Sequence, residues 1–129
     1  RRSSDLNDFE NYINHRNNTS TTRKEDLTHR FYTLMMDNYR EHKEVIFYAD
    51  KLHVSSKYLS EVVKETSGKS PKDWIIDYSL LEIKELLKNS SLNIQEITIR
   101  TKFLNQSALG RFFKRHTNMS PSEYRESTY

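Results

Sequence analysis

A stretch of this chain occurs twice. Residues 59–75, moved forward by 50 positions, fall on residues 109–125, so that Leu59 meets Leu109, Lys64 meets Lys114, and Ser70-Pro71 meets Ser120-Pro121. Several positions that differ keep their character: Val62-Val63 lies opposite Phe112-Phe113, Asp73 opposite Glu123, and Trp74 opposite Tyr124. Equivalent apolar positions must bury equivalent faces, so such a repeat implies two copies of one supersecondary unit. In 129 residues there is room for two small units and their connections.

Each copy reads as helices. Only two residues are Gly and two are Pro, too few for a turn-rich β fold. In the first copy, Thr22-Arg23-Lys24-Glu25 is a capping box, and Leu27, Phe31, Leu34 and Met35 behind it predict a helix over about 24–42. Val45, Ile46, Ala49 and Leu52 predict a short second helix, broken by His53-Val54-Ser55. Ser55 or Ser56 then caps a third, with Leu59, Val62 and Val63 facing inward and Gly68 as its left-handed end. Ser70-Pro71-Lys72-Asp73 opens the longest helix, with Ser as N-cap and Pro in the first helical position. Trp74, Ile75, Tyr78, Leu81, Leu86 and Leu87 carry it to about residue 88.

The second copy follows the same plan. Asn93-Ile94-Gln95-Glu96 caps a short helix to Thr101, a turn covers residues 102–104, and a helix runs from about Gln106 to His116. Ser120-Pro121-Ser122-Glu123 starts the last helix. The expected fold is all-α with about seven helices: two helix-turn-helix subdomains at 23–75 and 93–129, and the rest of the long helix with its connection at 76–92. Trp74 and Tyr124 are expected as core anchors, and the Leu80-Leu81 and Leu86-Leu87 pairs as core shared with the flanking units rather than a dimer seam. Residues 1–22 read as a lead-in. Leu6, Phe9, Tyr12 and Ile13 have the spacing of one short helix, before an Asn/Ser/Thr-rich linker composition at 14–22. The chain does not begin with Met, so these residues are expected to be the linker from an upstream domain.

Several function classes are disfavoured. Without Cys there is neither a disulfide nor a thiolate metal site. His15, His29, His42, His53 and His116 show no paired metal spacing and read as surface or capping residues. Two glycines cannot build a Gly-rich phosphate loop, and no nucleophile–base pair is evident, so neither a cofactor nor an enzymatic role is expected. No apolar run approaches the roughly 20 residues that span a bilayer. Arg1-Arg2-Ser3-Ser4 has no apolar segment behind it to act as a signal peptide, so a cytoplasmic location is expected. Asn17-Asn18-Thr19 then matches a glycosylation acceptor by chance.

Charge singles out the second copy. The formal net charge is only +3. Residues 93–129 hold six basic and three acidic side chains, whereas residues 43–75 hold six and five. In a helix-turn-helix the second helix enters the major groove of DNA, so its outward face must be short, polar or basic. The first such helix, at 55–66, turns Lys57, Ser60, Glu61 and Lys64 outward. The second, at 105–116, turns Gln106, Ser107, Gly110, Arg111, Lys114 and Arg115 outward. Ser55, Ser56, Lys64, Asn105, Lys114 and Arg115 suit phosphate contacts, which fix register. Gly110 costs about 1 kcal/mol against Ala inside a helix; either close approach of its backbone to DNA or crowding within the protein accounts for it.

The segment Tyr48-Ala49-Asp50-Lys51-Leu52-His53-Val54-Ser55-Ser56-Lys57-Tyr58-Leu59-Ser60 resembles the first helix-turn-helix of the AraC/XylS family of bacterial transcription regulators. Ile94-Gln95-Glu96-Ile97, Phe103, Gln106-Ser107, Arg111-Phe112-Phe113-Lys114-Arg115 and Met119-Ser120-Pro121-Ser122-Glu123-Tyr124-Arg125 resemble its second unit and C-terminal signature. The resemblance covers about residues 25–127. It implies sequence-specific binding of double-stranded DNA, transcription activation with RNA polymerase as partner, and base contacts at Lys57, Ser60, Glu61, Gln106, Ser107 and Arg111. Arg111 can pair with guanine, Gln106 with adenine, and Glu61 can accept from cytosine while repelling phosphate. The two recognition helices would lie about one duplex turn apart, ~34 Å, spaced by the long helix, so that DNA bends or one unit disengages. The chain is expected as a monomer, with any dimerisation left to the upstream domain. A docking module for another protein, without DNA binding, is the alternative.

The chain departs from the family pattern at four places. Thr98 stands for Ala, Ala108 for an aromatic residue, and Lys102 and Asn118 for Gly. A left-handed backbone at Lys102 would cost roughly 1 kcal/mol, whereas Asn is the tolerated substitute.

Overall fold

The computed structural model describes residues 22–128. Within them the chain forms seven helices and no strand: α1 (Arg23–Asn38), α2 (Val45–Lys51), α3 (Ser56–Ser67), α4 (Pro71–Asn89), α5 (Ile94–Arg100), α6 (Gln106–Thr117) and α7 (Pro121–Glu126). The all-α expectation therefore holds. The short helix suggested by Leu6, Phe9, Tyr12 and Ile13 lies outside the described residues. The chain divides into two compact units, the first closing at Asp77 and the second opening at Tyr78.

In the first unit, α1 starts where its cap requires. The Thr22 hydroxyl accepts from the Glu25 amide at 3.0 Å, and the Glu25 carboxylate accepts from the Thr22 amide at 3.0 Å. The helix stops at Asn38, short of the expected 42. Its buried face ends at Met35, and the amides of Glu41 and His42 both turn back onto the Asn38 carbonyl, at 3.1 and 2.9 Å. Leu27, Phe31 and Met35 pack with Tyr48, Ala49, Leu59, Val62, Val63, Trp74 and Ile75 in a buried core. Ile46, one of the apolar residues that mark this helix, is 60% exposed, whereas Tyr48 is buried. An aromatic of this size can be buried when its hydroxyl is satisfied, and Tyr48 donates to the His42 carbonyl at 2.6 Å. Burial, and then the charge of Glu44, push that phenol well above its ordinary pKa.

Trp74 is fully buried, as expected of an anchor, and its Nε1 donates to Ser67 Oγ at 3.0 Å. Lys69 lies over the indole face, 4.4 Å from its centroid, and pairs with Asp77. One polar cap thus fixes the ring's edge while a cation covers its face.

The second unit has its own core of Ile83, Leu87, Ile97, Leu109 and Phe113, against which Leu80, Leu86, Phe103, Phe112 and Tyr124 pack. The repeat is visible in burial: Leu59 and Leu109 are both fully enclosed, as are Val63 and Phe113. Tyr124 is only half-buried where Trp74 is enclosed, and packs edge-on against Phe113 at 5.4 Å. Residues 76–92 are divided: Asp77 ends the first unit, and Ile83 and Leu87 supply core to the second.

Both turns close in the same way. After α2, His53 has φ 61, its amide donates to the Asp50 carbonyl at 3.2 Å, and the Val54 amide donates to the Ala49 carbonyl at 3.0 Å. After α5, Lys102 has φ 66, its amide donates to Ile99 at 3.2 Å, and the Phe103 amide donates to Thr98 at 3.2 Å. This pair of bonds around one left-handed residue is how helices satisfy their last carbonyls. The second turn is one residue longer. The extra residue is Leu104, 90% exposed, so equivalent residues are 49 apart at His53 and Lys102 and 50 apart from Ser55 and Asn105 onward.

Candidate nucleic-acid interface

The second helix of each helix-turn-helix, α3 and α6, is held by its inner face. Leu59, Val62 and Val63 anchor α3, and Leu109 and Phe113 anchor α6. What remains outward is then set by 3.6 periodicity. Lys57, Ser60, Glu61 and Lys64 stand at i, i+3, i+4 and i+7, one stripe of α3. Ser107, Gly110, Arg111 and Lys114 form the same stripe on α6. Lys57, Glu61 and Lys64 are exposed and Ser60 is half-buried; Ser107, Arg111, Lys114 and Arg115 are exposed.

The start of each helix is capped by a neutral side chain. Ser55, not Ser56, caps α3, its Oγ accepting from the Tyr58 amide at 3.0 Å. Asn105 caps α6, its Oδ1 accepting from Ala108 at 2.8 Å. The Ser55 hydroxyl proton and the Asn105 amide protons remain available as donors, as phosphate contact needs. Ser56 is half-buried in the first turn of α3.

Charge separates these two helices from most of the others. Helices α1, α4, α5 and α7 each carry an acid in the first turn, and in α1, α5 and α7 a glutamate closes a capping box. Helices α3 and α6 carry none, with Tyr58 and Ala108 where the glutamate would stand. Their positive dipole ends are therefore left uncompensated by carboxylate, which favours an external anion. The last turn of α6 adds Lys114, Arg115 and His116.

Two contacts tune the outward faces, and neither was evident from sequence. Gln106 Nε2 donates to Gln95 Oε1 at 2.7 Å, so α5 orients the amide at the start of α6. Lys24 of α1 pairs with Glu65 of α3 at 3.2 Å, neutralising one of the two acids on that helix and leaving Glu61 as the other. Gly110 is explained by neither crowding nor conformation. A Cβ built there meets nothing within 4 Å, which corrects the crowding alternative.

Among the described residues no group of His, Asp and Glu is placed to hold a metal ion, and no helix is long and apolar enough to cross a membrane.

Known proteins share this arrangement. A helix-turn-helix domain family model matches residues 48–127. An uncharacterized HTH-type transcriptional regulator of Bacillus subtilis (strain 168), YobQ, is 32% identical over 77 residues, covering 60% of this chain and 32% of that protein. The chain spans about a third of the length of the curated relatives it matches first. The solved C-terminal domain of AraT, a response regulator from Geobacillus stearothermophilus, superposes with a TM-score of 0.70 at 25% identity, covering 84% of this chain and 93% of that one. The DNA-binding domain of the transcriptional factor AdpA, solved with a target DNA, shares the fold with a TM-score of 0.65 at 23% identity, over 76% of this chain and 88% of that one. Two turns closed alike, two outward faces free of first-turn acids, and a family match running through both place the chain in the AraC/XylS-type helix-turn-helix family of transcription regulators.

Proposed function

We propose that this chain is the sequence-specific DNA-binding part of a cytoplasmic bacterial transcription regulator, each unit offering one recognition helix to a major groove. The observation that carries the reading is the repeated outward stripe on α3 and α6, donor-rich and without a first-turn carboxylate. Lys57, Ser60, Glu61, Gln106, Ser107 and Arg111 read base edges. Ser55, Ser56, Lys64, Asn105, Lys114 and Arg115 hold phosphates and set register. Activation through contact with RNA polymerase is the finer reading.

Selection from a random pool of double-stranded DNA tests this. The chain should enrich a motif with two informative blocks, and log affinity should fall linearly with log salt as phosphate contacts release counterions. A chain that enriches no sequence, or binds with salt-independent affinity, is a protein-docking module instead.

A further inference from the structure

Gly110 is the fifth residue of α6, inside a regular helix and far from either end. Glycine is a poor helix former, and it is kept inside helices for one of three reasons: an unusual backbone, a crowded neighbour, or something outside the chain that must come close. The first does not apply, because Gly110 lacks the left-handed φ that Gly68 has at +90°. The second does not apply, because the space its Cβ would fill is open. The third has a candidate on the page. Gly110 lies in the middle of the stripe made by Ser107, Arg111 and Lys114, and it occupies the place that Ser60 takes on α3.

We propose that Gly110 is a contact position in its own right: with no side chain there, DNA in the major groove rests against the backbone of α6, and Arg111 and Lys114 sit closer to it than a Cβ would allow. The inference rests on the DNA-binding reading above and deepens it. The two units then engage DNA differently, α3 holding it off by a hydroxyl at Ser60 and α6 admitting it to the main chain.

The test is Gly110→Ala, with Gly110→Ser as a second variant that copies Ser60. Each is compared with the unaltered chain by thermal melting without DNA and by binding to the selected site at fixed salt. The Ala variant should melt higher, by roughly 4–8 °C. It should nevertheless bind about tenfold more weakly, as an added methyl does where packing is tight. Gly110→Ser should bind at least as weakly as Gly110→Ala. A variant that melts higher and binds as well or better overturns the proposal. So does an Ala variant that fails to melt higher, since the backbone would then be constrained from within. If the unaltered chain enriches no DNA, the DNA-binding reading itself falls, a result distinct from either.

Discussion

Lys88 and Arg125 each hold the end of the other's helix. Arg125 Nε donates to the Leu87 carbonyl at 2.8 Å, and its Nη2 to the carbonyls of Leu86 at 3.2 Å and Ser90 at 3.4 Å. Lys88 Nζ in turn donates to the Ser127 carbonyl at 2.6 Å, to Ser127 Oγ at 3.1 Å and to the Arg125 carbonyl at 3.4 Å. The last carbonyls of a helix have no partner within it, and cations there also oppose the negative end of the dipole. The six-residue α7 is too short to be stable by itself, so it is docked by this exchange together with the packing of Tyr124 on Phe113.

Arg125→Ala should therefore destabilise the second unit by about 2–3 kcal/mol, the range of hydrogen bonds from a charged donor. Lys88→Ala should cost somewhat less. Both act through the docking of α7, so the double variant should cost less than the sum. Urea unfolding of the four proteins measures this; strictly additive losses would show that the two caps are independent.

His53 and Lys102 occupy left-handed positions that favour glycine. His53→Gly and Lys102→Gly should each stabilise by about 1 kcal/mol through relief of that strain. Asn118 also has φ 65, but Asn tolerates the region, so Asn118→Gly should gain only a few tenths. Melting temperatures order the three, and equal gains would contradict the strain argument.

Arg111→Ala should lose about 1–3 kcal/mol of DNA binding and relax preference at one base pair. Lys64→Ala should weaken binding to all sequences alike and lower the salt slope by about one. Repeating the DNA selection and the salt titration with each variant separates the two roles. An Arg111 variant with unchanged discrimination would remove that residue from the reading set.

Glu123 carries a pH signature. The Ser120 amide, donating to its carboxylate at 2.8 Å, holds its pKa below the ordinary carboxylate range, with Lys114 adding to the effect. The folded state thus binds this proton more weakly than the unfolded state does. Its contribution is present above the ordinary carboxylate value and is lost as pH falls through the lowered one. Glu123→Gln should melt lower than the unaltered chain at neutral pH, and the gap should narrow as pH falls through that window. Thermal melts at a series of pH values check it; a gap that persists in strong acid would assign the effect to shape rather than charge.

Much of this was legible in the residues. Caps at Thr22, Asn93 and Ser120 are local chemistry, and all three form as capping boxes. The departures from Gly at Lys102 and Asn118 flagged backbone positions that do turn left-handed. His53 was readable only as part of the break after the second helix, since a composition of His, Val and Ser does not say which residue makes the turn. The burial of Tyr48 is accompanied by its hydroxyl finding the His42 carbonyl, which periodicity cannot register. The same limit hid the Lys88–Arg125 exchange, whose acceptors are backbone groups 35–39 residues distant. It also hid the Gln95–Gln106 pair, a bond between side chains of two different helices. The outward faces were readable as faces, since burying Leu59, Val63, Leu109 and Phe113 leaves one answer for the rest.

The way the two turns close has an evolutionary consequence. Main-chain bonds at residues 52–54 and 101–103 hold each helix pair in place, and none of Lys57, Glu61, Ser107 or Arg111 takes part in them. Those four positions can be rewritten with hardly any penalty to the scaffold. On the proposed assignment of these positions to base contact, a lineage carrying this domain can drift from one binding site to another in single steps without ever passing through an unfolded ancestor.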